Sequence, residues 1–257
     1  MSRSTALLPL MVMSACMLMA APARAALWSL SGDFSTASNP NGQWSYGRSL
    51  GTAASEVGIG SWVNNWVGDN GTTWDQGFQA WSYYTNISAS ATAKALQTSS
   101  FNWNGMAGTV APGTVVMWTS SDRDTWARWQ VPVGGGKYDV SVTYGGLGSP
   151  AKFTAAVVEV YKISGGSFSQ LWSSYIDEVN TSRTYTASRL SLAAGDSLEF
   201  LVSRNDRNGV NHYYVYDRPT YSTVDATIAA VPEPGVLAML GMGVGCFGCA
   251  VRRRPRK

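Results

Sequence analysis

The sequence predicts an all-β fold: a single jelly-roll-like β-sandwich, flanked by an N-terminal signal helix and a short C-terminal transmembrane helix. Three observations predict it. Short runs of strictly alternating apolar and polar residues recur along the chain. Glycine-rich turns separate those runs. The uncharged apolar stretches lie at the two ends, outside the alternating pattern.

Lys137–Tyr144 sets Tyr138, Val140, Val142 and Tyr144 on one face and Lys137, Asp139, Ser141 and Thr143 on the other. Ser197–Ser203 turns Leu198, Phe200 and Val202 inward. Thr125–Val131 separates Ala127, Trp129 and Val131 from Trp126, Arg128 and Gln130. Ser222–Ala229 groups Val224, Ala226 and Ile228, and His212–Asp217 carries Tyr213, Tyr214 and Tyr216. Ala155–Ile163 is more continuously apolar, as a central strand would be. Turns are expected at Gly134–Gly136, Gly145–Gly146, Gly165–Gly166, Ala194–Asp196 and Asn208–Gly209. The one helical candidate between the ends is Ala89–Gln97. Strands at short, fairly regular spacing with glycine turns favour a sandwich or jelly roll.

The ends read as export and sorting segments. Met1–Ala25 has a basic start at Arg3, an apolar stretch over Ala6–Ala21, and an Ala23-Arg24-Ala25 cleavage site for signal peptidase before Ala26. A competing reading makes Met13–Cys16 a lipobox and Cys16 a lipidated N-terminus; the chain is exported either way. Residues 231–257 open with Val231, Pro232, Glu233 and Pro234. An uncharged stretch over Gly235–Val251 follows, then Arg252, Arg253, Arg254, Arg256 and Lys257. A helix over Gly235–Val251 would be about 25 Å long, enough for a thin bilayer. Pro232 and Pro234 stop it from extending backwards. The arginines belong on the cytoplasmic side, leaving the Pro-Glu-Pro outside. An uncut single-span anchor is the alternative. The domain reading is residues 1–25 signal peptide, 26–230 sandwich and 231–257 sorting segment.

These ends change what the composition means. The whole chain carries +3. Without Arg3, Arg24 and the five tail cations, Lys and Arg fall from 19 to 12; without Glu233, Asp and Glu fall from 16 to 15, so the body carries −3. A nucleic-acid role loses its electrostatic basis. All 11 Trp and 12 Tyr lie in the body, whereas Cys16, Cys246 and Cys249 all lie outside it. The body must therefore be stable without a disulfide.

The tail resembles the PEP-CTERM sorting signal of Gram-negative bacteria in its Val-Pro-Glu-Pro start, short apolar helix and closing arginines. The resemblance implies transient anchoring in the inner membrane, cleavage near Pro232–Pro234 by an exosortase-type membrane protease, and a destination at the cell surface or in the extracellular matrix. The order Trp126…Trp129, Gly136-Lys-Tyr-Asp-Val140, Leu190–Asp196 and Leu198–Val202 resembles the galactose-binding-like jelly rolls of secreted bacterial proteins. The opening Asp33-Phe34-Ser35…Asn39-Pro40-Asn41-Gly42-Gln43-Trp44 is similar to the start of such proteins. Fold alone does not fix function.

The aromatic segment with Trp62, Trp66, Trp74 and Trp81 is the candidate glycan-stacking surface. Flat rings stack on the C–H faces of sugars, and the interleaved Asn64, Asn65, Asp69, Asn70, Asp75 and Gln76 could take the hydroxyls. The same rings could equally fill the core. Asp122 and Asp124, read as loop residues, are a candidate calcium pair or a solvated turn; no other metal site and no cofactor is expected. His212 is the single histidine, and no G-x-S-x-G elbow accompanies it. No spacing singles out a glycosidase pair among Glu56, Asp69, Asp75, Glu159 and Glu178. The expectation is a non-enzymatic, exopolysaccharide-associated protein that binds glycan. A structural matrix or adhesion protein without a specific ligand, and a carbohydrate-active enzyme, are the alternatives.

Overall fold

The computed structural model describes residues 25–49, 56–58, 61–63, 78–82, 91–95, 99–103, 106–119, 124–147, 156–176, 180–203 and 220–232. In chain order the elements are β1 (Leu27–Ser29), α1 (Leu30–Asp33), β2 (Trp44–Ser49), β3 (Glu56–Gly58), β4 (Ser61–Val63), β5 (Phe78–Ser82), β6 (Ala91–Ala95), β7 (Ser99–Trp103) and β8 (Met106–Val110). They continue as β9 (Val115–Thr119), β10 (Asp124–Gln130), β11 (Gly136–Gly146), β12 (Ala156–Ser164), β13 (Ser167–Ile176), β14 (Ser182–Leu192), β15 (Ser197–Ser203) and β16 (Thr220–Ala230).

Two sheets face each other. One runs β14-β11-β16-β9-β6-β5-β4, with β1 added beside β16; the other runs β13-β12-β15-β10-β2-β3; β7 and β8 form a separate pair. Every ladder with a described register is antiparallel. Among the described residues no helix is long and apolar enough to cross a membrane. The predicted signal helix and membrane helix lie outside the described residues, as do His212–Asp217 and Asn208–Gly209.

Alternation accounts for strands buried on one face only. In β11, Tyr138, Val140, Val142 and Tyr144 are buried, while Lys137 and Asp139 are exposed. Val224, Ala226 and Ile228 of β16 are buried in the same way. Ala156–Tyr161 is buried throughout, and β12 lies between β13 and β15 as a central strand should. The turns at Gly134–Gly136, Gly165–Gly166 and Gly195 take positive φ, which glycine tolerates because it lacks Cβ.

Four expectations are corrected. Ala89–Gln97 contains no described helix; Ala91–Ala95 is β6, paired through its backbone with β5 and β9, with Thr92, Ala93 and Ala95 buried. Packing overrides alanine's helix preference there. Gly145–Gly146 is not a turn but the end of β11. A side chain at Gly145 would meet Thr223 Oγ1 at 2.5 Å, so the missing Cβ serves close strand packing. Asp124 is not a loop residue: it opens β10, is buried, and accepts a hydrogen bond from Ser203 Oγ. Finally, β15 is buried on both faces, so Glu199, Leu201 and Ser203 are as enclosed as Leu198, Phe200 and Val202.

The second buried face is polar and closely paired. Arg128 meets Glu199 at 2.7 Å, with its guanidinium 4.5 Å from the centre of the Trp126 ring. Glu159 accepts from the Tyr161 hydroxyl at 2.9 Å and from Gln170 Nε2 at 2.7 Å. Burying carboxylates costs free energy unless they are bonded in this way. The Trp126 ring lies directly over Gly47, where an added Cβ would stand 1.8 Å from it. Gly47→Ala should therefore destabilise the fold by about 2–3 kcal/mol, the upper part of the overpacking range; an unchanged urea midpoint would refute this contact.

Asp196 fastens the turn before β15. It accepts from Ser164 Oγ at 2.7 Å and Ala193 N at 3.0 Å, and pairs with Lys162 Nζ at 2.9 Å. The Ser164 hydrogen bond, with Lys162 and Ala193 assisting, holds its carboxyl below the usual range. A depressed folded pKa adds stability above the unfolded value of about 4, and that stability is lost as pH falls through the folded value. The stability gap between wild type and Asp196→Asn should thus be full at pH 6–7 and close below about pH 4. A gap that persists unchanged to pH 2 would contradict this.

Candidate functional site

The site forms around the first strand and the turn before β2. Ser29 caps α1, accepting from Gly32 N at 3.2 Å. The helix delivers Asp33 beneath β1, where its Oδ2 accepts from Ser29 N at 3.0 Å and from Trp44 Nε1 at 3.2 Å. Asn41 and Trp44 exchange two backbone hydrogen bonds around Gly42-Gln43, a two-residue hairpin in which Gly42 takes φ +57°. Asn39, which precedes a cis proline, braces that hairpin through both ends of its amide. Its Nδ2 donates to Tyr46 O at 2.7 Å and its Oδ1 accepts from Tyr46 N at 2.9 Å. Asn41 Nδ2 then donates to Asp33 O at 3.0 Å.

Trp28, Asp33, Asn41, Gly42, Gln43 and Trp44 enclose an open cavity of about 320 Å³. Trp28 is half-exposed and is backed by buried rings, with Trp129 5.1 Å away edge to face and Tyr138 at 6.1 Å. Trp129 and Tyr138 also meet each other at 5.1 Å. Such edge-to-face packing fixes the outer ring in place. Burial raises the Tyr138 phenol above its ordinary value. Burial, with the charge of Asp33, raises that of Tyr46 much further, so both stay neutral hydroxyls. Asp33 Oδ1, Asn41 Oδ1 and the Gln43 amide retain hydrogen-bonding capacity beside the ring. A rigid aromatic face with one carboxylate and two amides suits a small polyhydroxylated ligand, which offers C–H surface to the ring and hydroxyls to the polar groups.

The predicted stacking residues are distributed otherwise. Trp62 and Trp81 are register partners across β4 and β5, at one edge of the first sheet, while Trp66 and Trp74 lie outside the described residues. Asp122 lies outside them as well, and among the described residues no group of three potential metal ligands gathers around Asp124 or elsewhere. Glu159 is fully buried, whereas Asp69, Asp75 and Glu178 fall outside the described residues. Of the processing residues, Ala25, Ala26 and Pro232 are exposed and Val231 is half-buried; Ala23, Glu233, Pro234 and the arginine tail are outside.

Sequence reasoning misses the cavity residues as a site, because Asp33–Trp44 reads there only as a phrase similar to other exported proteins. A physical signal was present: Asn41-Gly42 is the same turn dipeptide noted at Asn208-Gly209, and Trp28, Asp33 and Trp44 stand close to it in sequence.

No family model matches the chain, and no curated protein matches it. Solved structures resemble it in part. The K2 cleaved adhesin domain of Lys-gingipain aligns over 80% of this chain and 100% of its own, at 12% identity and TM-score 0.36. TmCBM61, solved in complex with β-1,4-galactotriose, aligns over 66% of this chain and 100% of its own, at 10% identity and TM-score 0.32. Eiger TNF from S. frugiperda aligns over 41% of this chain, which spans 65% of its length, at 13% identity and TM-score 0.27. At TM-scores below 0.5, none of these superpositions transfers a function to this chain.

Proposed function

We propose that the chain is an exported jelly-roll sandwich that binds neutral glycan at the cell surface or in the extracellular matrix. The half-exposed Trp28 ring carries this reading, held rigid by Trp129 and Tyr138 and bordered by Asp33, Asn41 and Gln43. Asp33 is the one charged residue among the described residues lining the cavity, so uronic or sulfated sugars meet repulsion rather than pairing. Binding rather than catalysis is the role proposed: of the carboxylates weighed as a glycosidase pair, Glu159 is fully buried and held by Tyr161 and Gln170, away from any opening.

Trp28→Ala should weaken binding to extracellular polysaccharide about tenfold or more in calorimetry, in line with the loss of a stacked ring. Because Trp28 also packs on Trp129, Gln43→Ala serves as the partner variant: it removes an amide that makes no hydrogen bond among the described residues and should weaken binding at unchanged melting temperature. Wild-type affinity in both variants, with binding lost instead on replacing Trp62, Trp66, Trp74 and Trp81, would move the site to the segment first expected. A wild type that binds no glycan would favour the structural-matrix reading.

The route is part of the proposal. Signal peptidase removes residues 1–25, the inner membrane holds the apolar stretch transiently, and an exosortase-type protease cuts at Val231–Pro234. In support, Leu27 pairs with Ala229, so the chain enters and leaves the sandwich side by side, with Ala25, Ala26 and Pro232 exposed. Mass spectrometry of the protein collected outside the cells should find an N-terminus at Ala26 and a C-terminus near Val231–Pro234. Retention of Arg252–Lys257 would refute the cleavage and leave a plain anchor.

A further inference from the structure

A second cavity lies on the other flank of α1. In the first sheet β16 has β11 along one edge. Along its other edge, β9 pairs only as far as Val224, and β1 pairs only from Thr227. Asp225 and Ala226 are left between them without a strand neighbour on that side. A cavity of about 620 Å³ opens at this notch, lined by Ser31, Thr114, Thr143, Thr223 and Asp225 among others. Asp225 is exposed and has no hydrogen-bond or ion-pair partner among the described residues, and Thr223 is half-buried. The lining thus combines hydroxyls and the Asp225 carboxylate with the apolar Pro112, Val115 and Val224, and its size is within the roughly 300–1,000 Å³ of small-molecule sites.

The two cavities share α1 as a wall. Asp33 lines the first and Ser31 the second. Two residues apart on a helix lie about 200° apart around its axis, on opposite flanks. Between them Gly32 is exposed on the crest, presenting backbone alone.

We infer that the ligand is a linear glycan chain that occupies both cavities and crosses α1 over Gly32. This rests on the glycan reading of the Trp28 cavity and specifies it: the protein recognises the interior of a polymer rather than a terminal sugar. The Trp28 cavity supplies the stacking ring, and the notch supplies hydroxyl and carboxylate partners for sugars further along the same chain. Gly32 is the discriminating position. A Cβ there would meet only Ser29 atoms at 3.4 Å, an ordinary contact, and φ is not in the positive range. A larger side chain is therefore compatible with the fold yet obstructs the crossing.

The probe is a size series of two to eight sugars, released by partial hydrolysis from the extracellular polysaccharide of the producing cells and titrated against the secreted protein. Affinity should rise at least tenfold from the shortest to the longest member. Gly32→Leu and Asp225→Ala should each remove that rise while leaving affinity for the shortest member within twofold, whereas Gly32→Ala should behave as wild type. Equal affinity at all lengths, or a rise that survives both variants, would overturn the two-cavity chain while leaving the Trp28 cavity as a single site. If no length binds, or if Trp28→Ala binds every length as wild type does, the glycan reading of the first cavity fails and this inference with it.

Discussion

The ladder between Leu27–Ser29 and Thr227–Ala229 is the contact on which both cavities beside α1 depend. Three residues of β1 bring the start of the sandwich against its last strand. That pairing sets Trp28 beside Trp129 and Tyr138, and it aims α1 at the hairpin of Asn41–Trp44. Because β1 is short, it also leaves the notch at Asp225. Both cavities therefore result from one pairing, and a shift of one residue in its register would turn Trp28 to the other face.

Stability has to come from packing, since the body contains no cysteine. Trp44, Trp129, Tyr46, Tyr144 and Phe200 are fully buried between and around the sheets. Each ring removes a large apolar area from water, at roughly 25 cal/mol per Å². Two of the polar handles on these rings are tied in: Trp44 Nε1 donates to Asp33, and the Tyr144 hydroxyl donates to Glu159 O at 2.9 Å, whereas Tyr46 Oη and Trp129 Nε1 are buried without a partner among the described residues. Tyr144 lies against Trp172, which in turn meets Tyr185 of β14, so aromatic contacts bridge the two sheets near their β13 and β14 edges. Trp28, half-buried like Trp172 and Tyr185, lies at the other end of the sandwich core, and its rigidity derives from Trp129 and Tyr138 behind it.

Alternation made the strands legible, because the period of two is a property of the backbone. β11, β12 and β16 lie where Tyr138, Val157 and Val224 predicted. Alternation fails where both faces are covered. In β15, Glu199 and Ser203 look solvent-facing in sequence, and only the tertiary pairing of Glu199 with Arg128, 71 residues away, reveals their burial. Ala91–Ala95 misled for the opposite reason: its residues favour a helix locally, and the space between β5 and β9 makes it a strand. Single glycines were ambiguous. Gly135 and Gly145 look alike in sequence, yet one supplies a positive φ and the other clears room for Thr223. The cavity was hidden because its parts come from β1, α1, a hairpin and the distant Trp129 and Tyr138, a convergence that no single window displays.

A half-exposed ring with a carboxylate and two amides is a modest site. Binding must first offset lost translational and rotational freedom and the desolvation of every polar group it engages. One such site favours weak association with a single sugar. A polymer changes that balance, because a chain already held at one cavity reaches the second at high effective concentration, and the second contact adds affinity without repeating the entropic cost. Many copies along one polysaccharide extend the same gain. A protein that bound a repeating polymer in this way would have no need of a deep pocket. Rigid, shallow surfaces suffice where the ligand repeats, and a sandwich whose rings are fixed from behind supplies such a surface without a lid or a disulfide.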